Sequence, residues 1–226
     1  MDYGYMIRGA VISVVFRAPP KHYLGHVVEN KNPIVIIPGI FERWSFMKPL
    51  GDKLSLLGHP VYIVPKLGYN ILNIPVSAGI LRKVVEKIEL EYPHRKVIFV
   101  AHSKGGLIGK YFLSHFDIKK RVLGMVSIAT PYTGSAMASL ISVQPLRELR
   151  GDSKLIADLQ KKTNVNHKII SLCPEYDNHV WAKEGSRLEG AHNVILPVHG
   201  HHRVLFDNGV QEMVVKQVER LSTLVR

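Results

Sequence analysis

Ser103 lies in Val97-Ile-Phe-Val-Ala-His-Ser-Lys-Gly-Gly-Leu, residues 97–107. An apolar run of strand type leads into Ala101-His102-Ser103-Lys104-Gly105, and a helical pattern follows at once. A serine on so sharp a strand-to-helix turn presents Oγ at a helix N-terminus, where the dipole favours developing negative charge. The chemistry this implies is nucleophilic attack on an acyl carbon. The turn needs small residues two before and two after the serine, since larger side chains would meet neighbouring backbone. Ala101 stands where the G-x-S-x-G pattern has its first glycine. Gly106 would let the following helix pack close to the sheet. A glycine-rich turn of this kind also suits phosphate. The strand before it, the helix after it and the adjoining His102 favour the nucleophile.

Such a serine needs a base, an acid to orient that base, and donors for the oxyanion. The expected chain order is serine, acid, histidine. Asp177 follows the strand-like run from Ile169, with Glu175 and Asp207 as rival acids. His199, His201 and His202 follow the run at Val194–Leu196. His-x-His-His lacks the carboxylate that a metallo-β-lactamase-like signature needs, with Arg203 in its place, so no catalytic metal is expected. No Gly-x-Gly-x-x-Gly or Walker pattern occurs, so no nucleotide cofactor is expected.

The elements that must position these residues alternate after residue 33. Strands are expected at Ile34–Ile37, Val61–Val64, Val97–Val100, Val122–Ala129, Ile169–Leu172 and Val194–Leu196. Helices are expected from a cap at or near Ser45 through Leu50, Leu54 and Leu57, from Ser77 to Pro93, and over Leu107–Phe116. A short helix capped by Asp152 or Ser153 and a last one over Gly209–Leu224, with Asn208 and Gln211 as a capping box, complete the set. This alternation predicts an α/β fold, a mostly parallel sheet with helices on both faces and its site at the carboxyl ends of the strands. Residues 1–32 precede it, and Val11–Val15 reads equally as helix or strand.

The 226 residues fit one domain with a full core. Thirty basic against 18 acidic residues give +12, which fits an anionic lipid surface, a nucleic acid or a solvated basic shell. Lys and Arg are scattered along the whole length without a recognised module, so nucleic acid is not expected. Cys173 is the sole cysteine, which excludes an intramolecular disulfide and a Cys-based zinc finger. Ala10–Phe16 falls well short of the roughly 18 residues of a membrane span. Without a recognisable leader the expectation is a cytoplasmic protein, or a secreted one if a leader precedes this sequence.

Four segments resemble the α/β-hydrolase superfamily, and within it the small bacterial triacylglycerol lipases and esterases without a large lid. They are Ile34-Val-Ile-Ile-Pro-Gly-Ile-Phe, the turn at 101–105, Ile128-Ala-Thr-Pro-Tyr-Thr-Gly-Ser, and the stretch from Asp177 through Ser186-Arg-Leu-Glu-Gly-Ala-His-Asn-Val to Gly200-His201. The resemblance spans about residues 33–220. It implies Ser103 as nucleophile, Asp177 as acid and His201 as base, with His202 the nearest rival. It implies backbone N–H groups of Ile40 and Lys104 as oxyanion donors. Pro38 replaces the family's usual histidine before Gly39, and Lys104 replaces a residue that is often apolar. Its ammonium would then either sit near the acyl site or reach out to water. Phe41, Trp44, Tyr132 and Met137 are candidate substrate contacts, as are Tyr69, Ile71, Leu72 and Ile74. The implied activity is carboxylic ester hydrolysis on short to medium acyl esters or acylglycerols. Acyl transfer, thioester or amide hydrolysis by the same residues, or a non-catalytic lipid- or partner-binding role, are the alternatives.

Overall fold

The computed structural model describes residues 2–141, 143–181 and 185–223. Six strands, β1 (Ile34–Ile37), β2 (Val61–Tyr62), β3 (Val97–His102), β4 (Val122–Ile128), β5 (Ile169–Tyr176) and β6 (His192–His199), form one sheet. Every pairing is parallel, in the order β2-β1-β3-β4-β5-β6. The helices are α1 (Asp2–Val15), α2 (His22–Gly25), α3 (Lys48–Leu56), α4 (Ile74–Glu91), α5 (Lys104–His115), α6 (Ala136–Leu140), α7 (Lys154–Lys161), α8 (Arg203–Phe206) and α9 (Asn208–Thr223).

The central strands are apolar on both faces because helices cover both. Val35, Ile37, Phe99 and Met125 point to one side and pack with Leu81, Val85 and Ile108 of α4 and α5. Ile34, Ile36, Ile98 and Val100 point to the other and pack with Leu50 and Leu54 of α3 and Val214 and Val218 of α9. The chain runs from β1 outward to β2, then returns past β1 to β3. That reversal opens a crevice at the carboxyl ends of β1 and β3, where a parallel sheet of this type receives ligands.

Several boundaries differ from those expected. α4 starts three residues before Ser77, because Asn73 Oδ1 accepts the Val76 N–H at 2.9 Å and Pro75 suits the first turn. Ser45 caps nothing; its buried Oγ donates to Ser13 Oγ at 3.0 Å, and α3 starts at Lys48 with Leu57 just past its end. β2 stops at Tyr62, before the turn at Pro65. β3, β5 and β6 run longer than their apolar cores. α5 begins at Lys104, immediately after the serine. Ser153 does cap α7, accepting the Ile156 N–H at 3.2 Å. At α9 the cap is Asp207, whose Oδ1 accepts the Val210 N–H, while Gln211 turns inward to the Leu205 carbonyl. Leu224 lies outside the described residues. The 11–15 segment is helical, and Gly9 and Ser13 form the buried face of α1.

Candidate active site

The turn after β3 holds Ser103 at φ 50°, ψ −123°, a region that costs a non-glycine residue about 1–3 kcal/mol. Tight neighbours enforce it. A Cβ on Gly105 would sit 2.2 Å from the Ile37 carbonyl oxygen, and one on Gly106 would sit 2.0 Å from Thr130 Oγ1. Ala101 is fully buried between β1 and β4, with a methyl as its whole side chain.

β5 and β6 deliver the other groups. Asp177 is the first residue after β5, and Gly200-His201 directly follows β6. Ser103 Oγ lies 2.9 Å from His201 Nε2, and His201 Nδ1 lies 2.8 Å from Asp177 Oδ2. A carboxylate only accepts, so Nδ1 carries the proton and Nε2 is free to accept from the serine. Asp177 Oδ1 accepts the N–H groups of His179 and Val180 at 2.8 and 3.0 Å. Burial alone would raise this carboxyl, but His201 and the two N–H groups outweigh it and lower the pKa to about 2. Burial lowers His201, helped by the rings of His102 and His202 and opposed by Asp177. The structure thus brings Ser103, His201 and Asp177 into one hydrogen-bonded line. In that line His201 can take the serine proton as Oγ attacks a carbonyl carbon. Glu175 is exposed and pairs with the equally exposed His199, away from this line.

Lys104 opens α5, so its backbone N–H belongs to the unpaired N-terminal set of that helix. Ile40 follows Gly39 in the loop after β1, whose shape is set by Glu42: Glu42 Oε2 accepts the Gly39 N–H at 2.7 Å. Phe41 next to it adopts φ 60°. The Lys104 side chain does neither of the two things expected of it. It is fully buried, with Nζ 3.0 Å from Glu148 Oε1 and donating to the Asn70 and Leu72 carbonyls. Burial lowers its pKa and Glu148 counters. Removing one member of such a pair strands the other charge. Lys104→Met is therefore expected to lose about 3 kcal/mol of stability in urea unfolding, most of it regained in Lys104→Met/Glu148→Leu. A single variant as stable as the parent would show that the pair carries no weight.

His102 forms a second buried network that residue types alone did not reveal. Its Nδ1 lies 2.9 Å from Glu42 Oε2 and its Nε2 lies 3.0 Å from the His201 carbonyl oxygen. Both partners are acceptors only, so both nitrogens carry protons and the ring is an imidazolium. Burial would discharge it, yet the Glu42 carboxylate raises it, and Glu42 itself is held down at about 2. His102 thereby links the serine turn, the Gly39 loop and the backbone of His201. His202 is buried beside it, with Nε2 3.5 Å from Glu42 Oε1 and Nδ1 3.2 Å from Asp2 Oδ2. The His179 ring stacks on His201 with centroids 4.5 Å apart, and burial with the neighbouring rings lowers its pKa to about 3.

Above Ser103 and His201 opens a cavity of about 510 Å³, lined mainly by apolar side chains. Phe41 and Met137 line it, with Ile40, Ile141, Val143 and Leu146. Trp44 and Tyr132, expected there, lie elsewhere. Trp44 packs edge-on to Tyr23 in the core, and the buried Tyr132 hydroxyl donates to Ser127 Oγ. Tyr69, Ile71, Leu72 and Ile74 are also absent from its lining; Leu72 and Asn70 receive Lys104 instead. Met6 and Ala10 of α1 do line it, although residues 1–32 fell outside the resemblance. The small residues Gly9 and Ser13, one helical turn apart, are the sequence signal that could have placed α1 against the core.

Among solved structures the chain resembles Bacillus licheniformis lipase BlEst2 in its mature form, at TM-score 0.68 and 16% identity over 89% of this chain and 96% of that one. It also resembles Aspergillus fumigatus lipase B, at TM-score 0.71 and 15% identity over 89% of this chain and 55% of that one. Identities so low bear on the fold alone. No curated protein sequence matches. The family model described as "alpha/beta hydrolase fold" matches residues 32–155, more than half of the chain. That match takes in the loop after β1 and the Ser103 turn, and the sheet order agrees with it, so the chain belongs to the α/β-hydrolase family.

Proposed function

We propose that the protein is a serine carboxylic ester hydrolase of lipase or esterase type. The observation that carries this is the hydrogen-bonded line Ser103–His201–Asp177 at the floor of an apolar cavity. His201 removes the Ser103 proton as Oγ attacks the ester carbonyl. The N–H groups of Ile40 and Lys104 stabilise the oxyanion, and His201 then protonates the leaving alcohol. Water, deprotonated by His201, hydrolyses the acyl-enzyme. The lining of Ile40, Phe41, Met137 and Leu146 suits an alkyl acyl chain over a charged one. The two lipases of similar fold support an ester or lipid substrate.

The test is hydrolysis of p-nitrophenyl esters from acetate to palmitate, alongside mass spectrometry of protein treated with a fluorophosphonate. Turnover with one adduct on Ser103 is expected. Absence of both would remove this reading; an adduct without ester turnover would move it to acyl transfer or amide chemistry. The neutral form of His201 is the active one, and burial lowers its pKa. The acid limb of kcat/KM is therefore expected below about 6.5, the ordinary histidine value. A limb at or above that value would contradict the buried, discharged base.

A lipid surface is the partner we infer for the outer face of α1. Tyr3, Ile7, Val11 and Val14 form an exposed stripe on this helix, whose Met6 and Ala10 line the cavity. No helix among the described residues is long and apolar enough to cross a membrane. The stripe fits contact at the interface instead, and the net charge of +12 favours an anionic one. Ile7→Asp/Val11→Asp is expected to reduce co-sedimentation with phosphatidylglycerol vesicles at least ten-fold while hydrolysis of soluble p-nitrophenyl acetate persists. Unchanged co-sedimentation would rule the stripe out.

A further inference from the structure

A second cluster of ligating groups lies next to the Ser103 line and takes no part in the proposed ester chemistry. Asp2, His179 and His202 each offer one atom, and the three atoms lie within 4.8 Å of one another. Asp2 comes from the start of α1, His179 from the loop after β5, and His202 from the loop after β6. We propose that these three residues form a binding site for one divalent cation of the zinc class.

One pair of these atoms already stands at the spacing of that ion's ligands. Zinc bonds of about 2.0–2.1 Å at tetrahedral angles put neighbouring ligand atoms about 3.3 Å apart. Asp2 Oδ2 and His202 Nδ1 are 3.2 Å apart. His179 Nε2 is buried and has no hydrogen-bond partner among the described residues. An imidazole nitrogen left that way loses its hydration for nothing unless a ligand completes it. Two imidazoles and one carboxylate favour zinc over magnesium or calcium, which prefer all-oxygen sets.

The surroundings have the form that metal ligands need. The other nitrogen of His202 faces Glu42 Oε1 at 3.5 Å, a carboxylate placed to hold that ring's tautomer. The other oxygen of Asp2 accepts the backbone N–H groups of His202 and Arg203 at 2.9 and 3.0 Å, which fixes the carboxylate. His179 and His202 also line the cavity, so cavity water supplies the remaining coordination position. The expectation of no catalytic metal concerned His199, His201 and His202. Of these only His202 belongs to this cluster, whose role is binding, not catalysis.

The test uses the full chain without a histidine tag, stripped with a chelator and titrated with Zn²⁺ and with Co²⁺. One ion per chain is expected, with a raised thermal midpoint and the intense visible absorption of four-coordinate cobalt. His179→Gln should lower the affinity at least ten-fold and abolish that absorption, while far-ultraviolet circular dichroism stays unchanged. Asp2→Asn should do the same, and His179→Gln keeps the test sound if Asp2→Asn loosens α1. Absence of binding, or binding equal in parent and His179→Gln, would overturn the site. Neither readout depends on ester turnover.

Discussion

Ser103→Ala is expected to lower kcat for ester hydrolysis by about 10⁶-fold, leaving only what binding and the oxyanion donors supply. The substitution removes one atom, Oγ, whose partner is His201 Nε2 at 2.9 Å. Alanine meets the same backbone demand at φ 50° as serine does, so the turn is neither relieved nor further strained. His201 keeps Asp177, and the cavity keeps its walls. Thermal stability should therefore stay near that of the parent while turnover vanishes, and the fluorophosphonate adduct should vanish with it. Turnover within ten-fold of the parent in the folded variant would place the nucleophile elsewhere and undo the proposed mechanism.

Asp177→Asn is the next largest effect, expected at about 10⁴-fold in kcat. The reason lies in which side of the new amide faces the base. Asp177 Oδ1 is claimed by the N–H groups of His179 and Val180 at 2.8 and 3.0 Å. An asparagine keeps its oxygen there and so turns its NH₂ toward His201 Nδ1. That nitrogen must then accept, the proton moves to Nε2, and Nε2 can no longer take a proton from Ser103. The backbone contacts survive, so folding should be little affected. Glu175→Gln provides the contrast: Glu175 is exposed and pairs with His199, away from the Ser103 line, and its loss should leave kcat/KM within two-fold. A large loss in Glu175→Gln with little in Asp177→Asn would exchange the two roles.

The parallel sheet was readable because the central strands are buried on both faces and appear as unbroken apolar runs, as at Ile34–Ile37 and Val97–Val100. The Ser103 turn was readable because sterics restrict residue types over only five positions. Helix starts were less so. Asn73 caps α4 ahead of the apolar periodicity, and nothing in Ser45 distinguishes a cap from a buried hydroxyl that meets Ser13. α1 was ambiguous because Val11–Val15 is β-branched, and its helical form comes from packing Gly9 against Phe46 and Ser13 against Ser45. Trp44 and Tyr132 were misplaced for a related cause. Aromatic residues near the loop after β1 and the turn after β4 fit a cavity wall or a core equally well by type. The networks of His102, Glu42 and Asp2 join segments 60, 99 and 200 positions apart, and local patterns carry no trace of such pairings.

Asp2 receives hydrogen bonds from His202 and Arg203, 200 and 201 positions later in the chain. This has a consequence for synthesis on the ribosome. At 5–20 residues per second, about 10–40 s separate the emergence of α1 from that of the loop that fastens its first turn. During that interval the whole of α1, with Tyr3, Ile7, Val11 and Val14 on one side and Met6 on another, has no finished docking place. A helix made some 200 residues before its fastening loop is among the last to be secured. Nascent chains stalled before the loop after β6 should thus display α1 as a sticky segment, a ready target for chaperones that bind apolar helices.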